Sequence, residues 1–356
     1  MSFVKTDRVH FHTFDSLRFL SFLLVFMEHS PIPEDNILYY FSRGGAIGVS
    51  FFFVLSGFLI TYILILEKLN HQNKIPLKNF FKRRILRIWP LYYAMVLFAF
   101  CTPFILNLLN LTSSNEGYEP NWFLTLIFLE NYVMMYKGNF PNVSPLVVMW
   151  SLCIEEHFYI IWGIIFYCIS LKNIPKLILI CIIIPVVFKI IYGMYNIIGA
   201  DIFTNIDLFA FGAISAYLFV FYRDIIKKAE YIPSAYKYTY AVFVLLMVIL
   251  DITYSFLPNA ILGSLLFGLL FTMLIFFTLG EKNTFKISDK TILAKLGKYT
   301  YGLYLFHTII INFYAKVGVK YDLQWYTITI LSLITTIFLA FLSYHLFEKQ
   351  FLKLKK

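Results

Sequence analysis

Long apolar runs, each close to twenty residues and separated by short polar segments, recur along the whole chain. A transmembrane helix needs about 20 predominantly apolar residues, whereas a transmembrane β-barrel shows alternating segments of about 10 residues. The pattern therefore predicts an all-α integral membrane protein, a polytopic bundle of about ten transmembrane helices. The predicted spans cover residues 14–31, 46–66, 85–107, 148–170, 175–197, 203–222, 238–257, 259–280, 296–315 and 325–347.

Composition agrees with this pattern. Hydrophobic residues make up 60% of the chain and charged residues only 14%, whereas soluble domains have about 25% charged residues. The N-terminus is polar, and no small-residue cleavage site follows the first apolar run, so we expect that run to remain as a span. No polar stretch is long enough for a soluble domain. We therefore expect one integral-membrane domain over residues 1–356, with no appended soluble domain.

Neither the cysteines nor the histidines near the N-terminus predict a metal site. The four cysteines lie within apolar runs and form no C-x-x-C pair, which argues against disulfides and zinc. His10 and His12 have no further candidate ligand nearby in the sequence. From the sequence we expect no metal.

The net charge of +10 could indicate a nucleic-acid partner, but in a membrane protein basic loops determine topology, so no nucleic acid is expected. The apolar segment 121–136 is short, and Glu130 and Asn131 interrupt it. If it does not span, 23 of the 30 Lys and Arg residues lie on the side of the N-terminus and 5 lie on the other side. This partition predicts cytoplasmic termini and a re-entrant or surface-lying segment at 121–136.

The first span carries Arg18 and His29, eleven residues apart. At about 100° per residue the two side chains point about 20° apart, and they are separated by roughly 16.5 Å along the axis. Arg18 is expected near the inner end and could instead extend to the interface. His29 is expected near the outer end, where it could simply cap the helix, or act as a base because a neutral imidazole takes up a proton near pH 7.

The third span opens with a cluster of basic residues. Arg84 and Arg87 are three apart and share a helical face, as do Arg83 and Arg87, which are four apart. Positive-inside anchoring explains the flanking lysines, but Arg87 enters the span. Guanidinium groups bind phosphates with two hydrogen bonds. The cluster therefore predicts a cytoplasmic site for a polyphosphate ligand.

Glu155 and Glu156 lie just inside the outer end of the fourth span. Carboxylates within a span are costly and mark functional sites. Glu155 is expected at a depth similar to that of His29, where a carboxylate could orient a histidine base.

These elements occur as a series of motifs in a fixed order. The motifs resemble those of the membrane acyltransferase-3 family of O-acyltransferases over almost the whole chain. They are "FDSLRFLSFLLVFMEH" (14–29), "GGAIGVSFFFVLSGFLI" (44–60), "RRILRIWPLYY" (83–93), "WSLCIEEHFY" (150–159) and "LGKYTYGLYLFH" (296–307), and Glu348 resembles the closing acidic element. His157 stands where the family often has Gln, and Thr300 where it often has Ser.

The resemblance implies transfer of an acyl group, usually acetyl from acetyl-CoA, to a hydroxyl of a cell-envelope glycan or another sugar-containing acceptor. By correspondence of motifs, Arg18, His29 and Glu155 would be catalytic, and Arg84, Arg87 and the neighbouring Arg83 would bind the donor. The implied location is a multi-pass position in the bacterial inner (cytoplasmic) membrane, in contact with membrane lipid. A family member without a soluble domain could also work with a separate soluble partner protein.

Two other functions are compatible with charges inside spans. One is a transporter or flippase that exports an acylated or anionic sugar, although no inverted repeat is visible. The other is a structural scaffold, which gives Arg18 and His29 no reason to align. Consumption of acetyl-CoA, as opposed to movement of solute, distinguishes the enzyme from the transporter.

Overall fold

A computed structural model describes residues 8–108 and 117–355, and ten long helices form its framework. They are α1 (His12–Glu28), α2 (Gly45–Asn70), α3 (Leu77–Leu108), α4 (Met149–Cys168), α5 (Ile174–Met194), α6 (Ile202–Phe221), α7 (Ser234–Tyr254), α8 (Ala260–Thr278), α9 (Thr300–Tyr321) and α10 (Trp325–Ser343). Each corresponds to one predicted span.

Nine helices among the described residues are long and apolar enough to cross a membrane. Helix α1, with 17 residues, lies at the short end of the spanning range. The predicted all-α membrane fold is confirmed. The largest difference is at α3, which begins at Leu77 rather than at residue 85, because its first two turns are helical but carry the lysines and arginines that an apolar window leaves out.

Segment 121–136 forms two short helices, Trp122–Leu126 and Glu130–Lys137. At 1.5 Å per residue, neither can cross a hydrocarbon core of about 30 Å. Phe128 between them has a φ of 61°, so the chain turns sharply there. The buried carboxylate of Glu130 accepts hydrogen bonds from Thr125 (2.5 Å) and Tyr118 (2.7 Å). This confirms that the segment is not a single spanning helix.

Helix α2 packs closely against α6 at the centre of the bundle. A Cβ on Gly57 would lie 2.1 Å from the carbonyl oxygen of Phe209, and one on Gly212 would lie 1.9 Å from that of Val54. Only glycine permits backbones to approach this closely, which is how small residues bring membrane helices together. The other face of α2 borders a cavity that it shares with α1, α3, α4 and α9.

Beyond α10 the backbone continues as a π-helical turn, Tyr344–Glu348, and a last short helix, Lys349–Lys353. Residues close to both described chain ends, His10 and Lys355, line the same cavity. His10 and Lys355, near the first and last described residues, therefore lie at the same end of the bundle.

Candidate functional site

A cavity of about 440 Å³ lies among α1, α2, α3, α4 and α9 and contains most of the predicted site residues. We call the end of the cavity bordered by Arg18, Arg84, Arg87 and Lys355 its wide end. We call the end formed by Ser151 and Tyr304, within the bundle, its narrow end. The residues on which its chemistry depends are Arg18, Ser56, Arg84, Arg87, Ser151, Glu155, Tyr159, Tyr304, Glu348 and Lys355.

Positive charge is concentrated at the wide end of the cavity. Arg18 pairs with Asp15, with 3.0 Å between Nη1 and Oδ1. Within the described residues, no carboxylate lies at ion-pair distance from Arg84, Arg87 or Lys355, and the Nε atom of Arg84 is buried without a hydrogen-bond partner. Unpaired cations that face one cavity form a site suited to an anionic ligand.

Lys355 lies just outside the last span. Burial, together with the positive charges of Arg87, Arg84 and Arg83, lowers the pKa of Lys355 to about 8. An anion bound between these cations would have the opposite effect and would favour the protonated form of Lys355.

Deeper in the cavity, Glu155 is held by side chains from two helices. Ser56 Oγ donates to Oε1 at 2.7 Å, and the Tyr159 hydroxyl donates to Oε2 at 3.1 Å. The guanidinium of Arg84 lies 5.7 Å from the centre of the Tyr159 ring, within cation–π range. These contacts connect α3, α4 and α2 and fix the Glu155 carboxylate toward the cavity.

Tyr304 of α9 lines the narrow end of the cavity. Its hydroxyl lies 2.6 Å from Ser151 Oγ and donates to the carbonyl oxygen of Val148 at 3.2 Å. One turn further along α9, His307 is fully buried, and its Nδ1 lies 2.6 Å from the carbonyl oxygen of Tyr304. A carbonyl can only accept, so Nδ1 carries the proton and Nε2 keeps a lone pair, for which no partner lies among the described residues.

His29 follows the last residue of α1, and its ring lies 5.2 Å from that of His307, centroid to centroid. In the described part of the chain His29 does not line the cavity, whereas Tyr304 and Ser151 do. The expectation that Glu155 orients His29 therefore needs correction. Glu155 faces the cavity and bonds Ser56 and Tyr159, whereas the residue beside His29 is a second histidine.

The structure brings four of the six predicted residues, Arg18, Arg84, Arg87 and Glu155, to this one cavity. Arg83 is different, because its guanidinium pairs with Glu67 at 2.8 Å, where Arg8 also binds. Arg83 is therefore paired with a carboxylate and does not line the cavity. Glu156 is buried and accepts a hydrogen bond from Trp89 Nε1 at 3.3 Å.

Sequence reasoning did not assign functions to Tyr304, Ser151, His307 or Lys355. Ser151 and Tyr304 are 153 residues apart, and no local pattern indicates that they meet. The spacing of Tyr304 and His307 was available, since residues three apart lie on neighbouring turns of one helical face. Lys355 follows the last span among other lysines and could not be distinguished from them.

Chemically, the arrangement separates two kinds of group. Cations that can bind phosphates lie at the wide end of the cavity. Hydroxyl donors lie at its narrow end, and a pair of imidazoles able to take up a proton lies beyond them. A long anionic ligand could extend from the first group to the second.

Comparison with known proteins adds to this description. A family model described as "Acyltransferase domain" matches residues 11–345. The chain is 28% identical over 327 residues to peptidoglycan O-acetyltransferase OatA of Listeria monocytogenes, a match that covers 86% of this chain and 50% of that protein. It is also 28% identical over 358 residues to "Putative peptidoglycan O-acetyltransferase YrhL" of Bacillus subtilis, a match that covers 94% of this chain and 54% of that protein. The chain spans about half the length of these curated relatives. No solved structure matches it.

Proposed function

The chain belongs to the acyltransferase-3 family, and on that premise we propose that it is a membrane O-acetyltransferase. Its donor is acetyl-CoA, bound from the cytoplasm, and its acceptor is a hydroxyl of a cell-envelope glycan on the other side of the membrane. Peptidoglycan is the acceptor favoured by the names of the relatives. The protein would then work in the bacterial cytoplasmic membrane.

The observation that carries the proposal is the set of unpaired cations at the wide end of the cavity. Arg84, Arg87 and Lys355 face it without a carboxylate partner among the described residues. Leaving such charges unpaired is costly, and the phosphate groups of CoA would offset that cost. Bidentate hydrogen bonds from guanidinium groups would also orient the nucleotide.

From this position the thin pantetheine arm of CoA would extend inward between α2 and α4. The thioester would then lie near Tyr304 and Ser151, whose hydroxyls can donate to its carbonyl oxygen as negative charge develops there. Glu155, fixed by Ser56 and Tyr159, would border the path.

His29 would take the proton from the acceptor hydroxyl while the oxygen attacks the thioester carbonyl carbon. A C–O bond forms, the C–S bond breaks, and the electron pair leaves with the CoA sulfur, which then takes up a proton. His307 would act as a positioning residue that holds the His29 ring. The alternative route is covalent, in which His29 Nε2 or Nδ1 attacks first and an acyl-imidazole passes the acetyl group to the acceptor.

For the reacting groups to meet, the contact between Tyr304 and Ser151 must open when the donor binds. Ser151 and Tyr304 are in contact and line the cavity, and His29 does not line it. Opening this contact would let the thioester of the donor reach His29 and the acceptor hydroxyl, and nothing larger than the acetyl group would have to pass. Export of a sugar would instead need a pathway wide enough for the whole solute, and family membership favours acyl transfer.

The test is an assay of the purified full chain in proteoliposomes with labelled acetyl-CoA and a soluble peptidoglycan fragment. We expect one free CoA thiol to appear for each acetyl group found as an ester on the fragment. Movement of label into proteoliposomes without any release of thiol would contradict the proposal and favour export.

A further inference from the structure

A second group of chemically active side chains lies at the start of α1, outside the catalytic path. Residues 8–11 form no regular secondary structure and lead into the first helical residue, His12. Phe11 turns inward and packs on Phe14, Phe58 and Tyr62, with ring centroids 4.9–5.1 Å away. His10 and His12, on either side of Phe11, instead both contact Asp289.

His10 and His12 meet the loop between α8 and α9. Asp289 Oδ2 lies 3.1 Å from His10 Nε2 and 2.5 Å from His12 Nδ1. The loop is held there by a hydrogen bond from the Ile287 amide to Thr13 Oγ1 at 3.1 Å. Two imidazoles and a carboxylate are thus brought together from positions 277 and 279 residues apart, which is why this group could not be predicted from the sequence.

We propose that His10, His12 and Asp289 bind a divalent transition-metal ion, of which zinc is the best match. Zinc takes imidazole nitrogen and carboxylate oxygen at 2.0–2.2 Å, so tetrahedral ligands lie about 3.3 Å apart. The three ligand atoms lie within 4.8 Å of one another. To admit the ion, the pair His12–Asp289 has to widen by about 0.8 Å and the ligand nitrogens of His10 and His12 have to approach each other by up to about 1.5 Å, which rotation of the two exposed imidazoles allows.

Two features of the group favour a metal over a simple hydrogen-bonded cluster. Both imidazoles converge on the same carboxylate oxygen, Oδ2, while Oδ1 of Asp289 is buried without a partner among the described residues. The two rings are perpendicular, 4.8 Å apart, so their nitrogen atoms approach Oδ2 from different directions, as ligands around one ion do. Three protein ligands leave a fourth position for water.

Such an ion would fasten the segment before α1 to the loop before α9. His10 also borders the wide end of the cavity, so the metal would fix one wall of its entrance. This role is independent of the acyl transfer proposed above, since no step of that reaction uses the ion.

The test uses full-length protein without a polyhistidine tag, treated with EDTA, reloaded with zinc and freed of excess metal. We expect about one zinc per chain by mass spectrometry of the metal. In competition with a chromophoric chelator, Asp289→Asn and His12→Ala should each weaken binding about tenfold or more, because even the loss of an outer-shell partner costs about 10–100-fold. Zinc should raise the melting temperature of the wild type and not that of Asp289→Asn.

His71→Ala is the matched control, since the side chain of His71 is 52% exposed and that of His12 50%, and His71 also has a neighbouring carboxylate. It should bind zinc as the wild type does. A chain that binds no zinc, or an Asp289→Asn variant with unchanged zinc affinity and melting shift, would overturn the proposal and leave a hydrogen-bonded cluster. If zinc were bound by the cysteines instead, Asp289→Asn would leave the zinc affinity and the melting shift unchanged.

Discussion

The imidazole rings of His29 and His307 lie 5.2 Å apart, centroid to centroid, where the end of α1 meets α9. Phe22 packs edge-on against His307 at 5.7 Å, and the carbonyl of Tyr304 fixes its tautomer. His29 is half-buried, whereas His307 is fully buried. His29 is therefore the imidazole that an acceptor can reach, and His307 supports it from within.

If His307 positions His29, His307→Asn should reduce kcat about tenfold or more, because general-base catalysis contributes about 10²–10⁴-fold and depends on alignment. The KM for acetyl-CoA should stay near that of the wild type, since His307 lies beyond the cavity. The check is steady-state release of CoA thiol, with its pH profile. A parallel loss of protein from the membrane, or an unchanged kcat, would show that His307 only fills space.

Arg87→Ala and Arg84→Ala should each weaken acetyl-CoA binding by about ten- to hundredfold, the worth of about 1.5–3 kcal/mol for a hydrogen bond to a charged group. Arg87→Lys should recover only part of this, because lysine keeps the charge but loses the bidentate geometry. Calorimetry on purified protein measures the affinity. Arg83→Ala is the matched control on the same helix and should bind acetyl-CoA normally, because Arg83 pairs with Glu67. Equal losses in all three alanine variants would mean a diffuse charge effect rather than a site.

Acetyl-CoA affinity should also fall as the pH rises through about 8. Burial and the nearby arginines lower the pKa of Lys355 to about 8, so this lysine is charged below that pH and neutral above it. Loss of one partly exposed charge should weaken binding about two- to fivefold between pH 7 and pH 9. Lys355→Arg stays charged and should flatten the profile. A wild-type profile identical to that of Lys355→Arg would remove Lys355 from the donor site.

The predicted orientation can be tested by cysteine labelling. In a variant that lacks the four native cysteines, single cysteines placed near Lys176, Lys228 and Lys290 should resist an impermeant thiol reagent in intact cells, because the basic partition places these positions inside. They should react once the membrane is permeabilised. Ready labelling of all three in intact cells would contradict the predicted orientation and would place the donor site outside the cytoplasm.

The helical framework could be predicted from the sequence because membrane spans are determined by apolar length. The shared face of Arg84 and Arg87 followed from helical geometry, whereas the hydrogen bonds of Glu155 to Ser56 and Tyr159 did not follow from the sequence. Arg83 shows the limit of that reasoning, since spacing alone did not reveal Glu67 on a neighbouring helix as its partner. The contacts Tyr304–Ser151, His29–His307 and His12–Asp289 each join distant parts of the chain, and they arise only from the way the helices pack.

The most direct test of acyl transfer through His29 is the ester-linked acetate on the purified envelope glycan of the host cell. It should be compared in cells that lack this chain and in cells that produce the wild type or His29→Ala at equal membrane levels. We predict that the acetate is lost without the chain, restored by the wild type and absent with His29→Ala, because both the base and the acyl-imidazole routes require this imidazole. Full restoration of the acetate by His29→Ala would contradict the account.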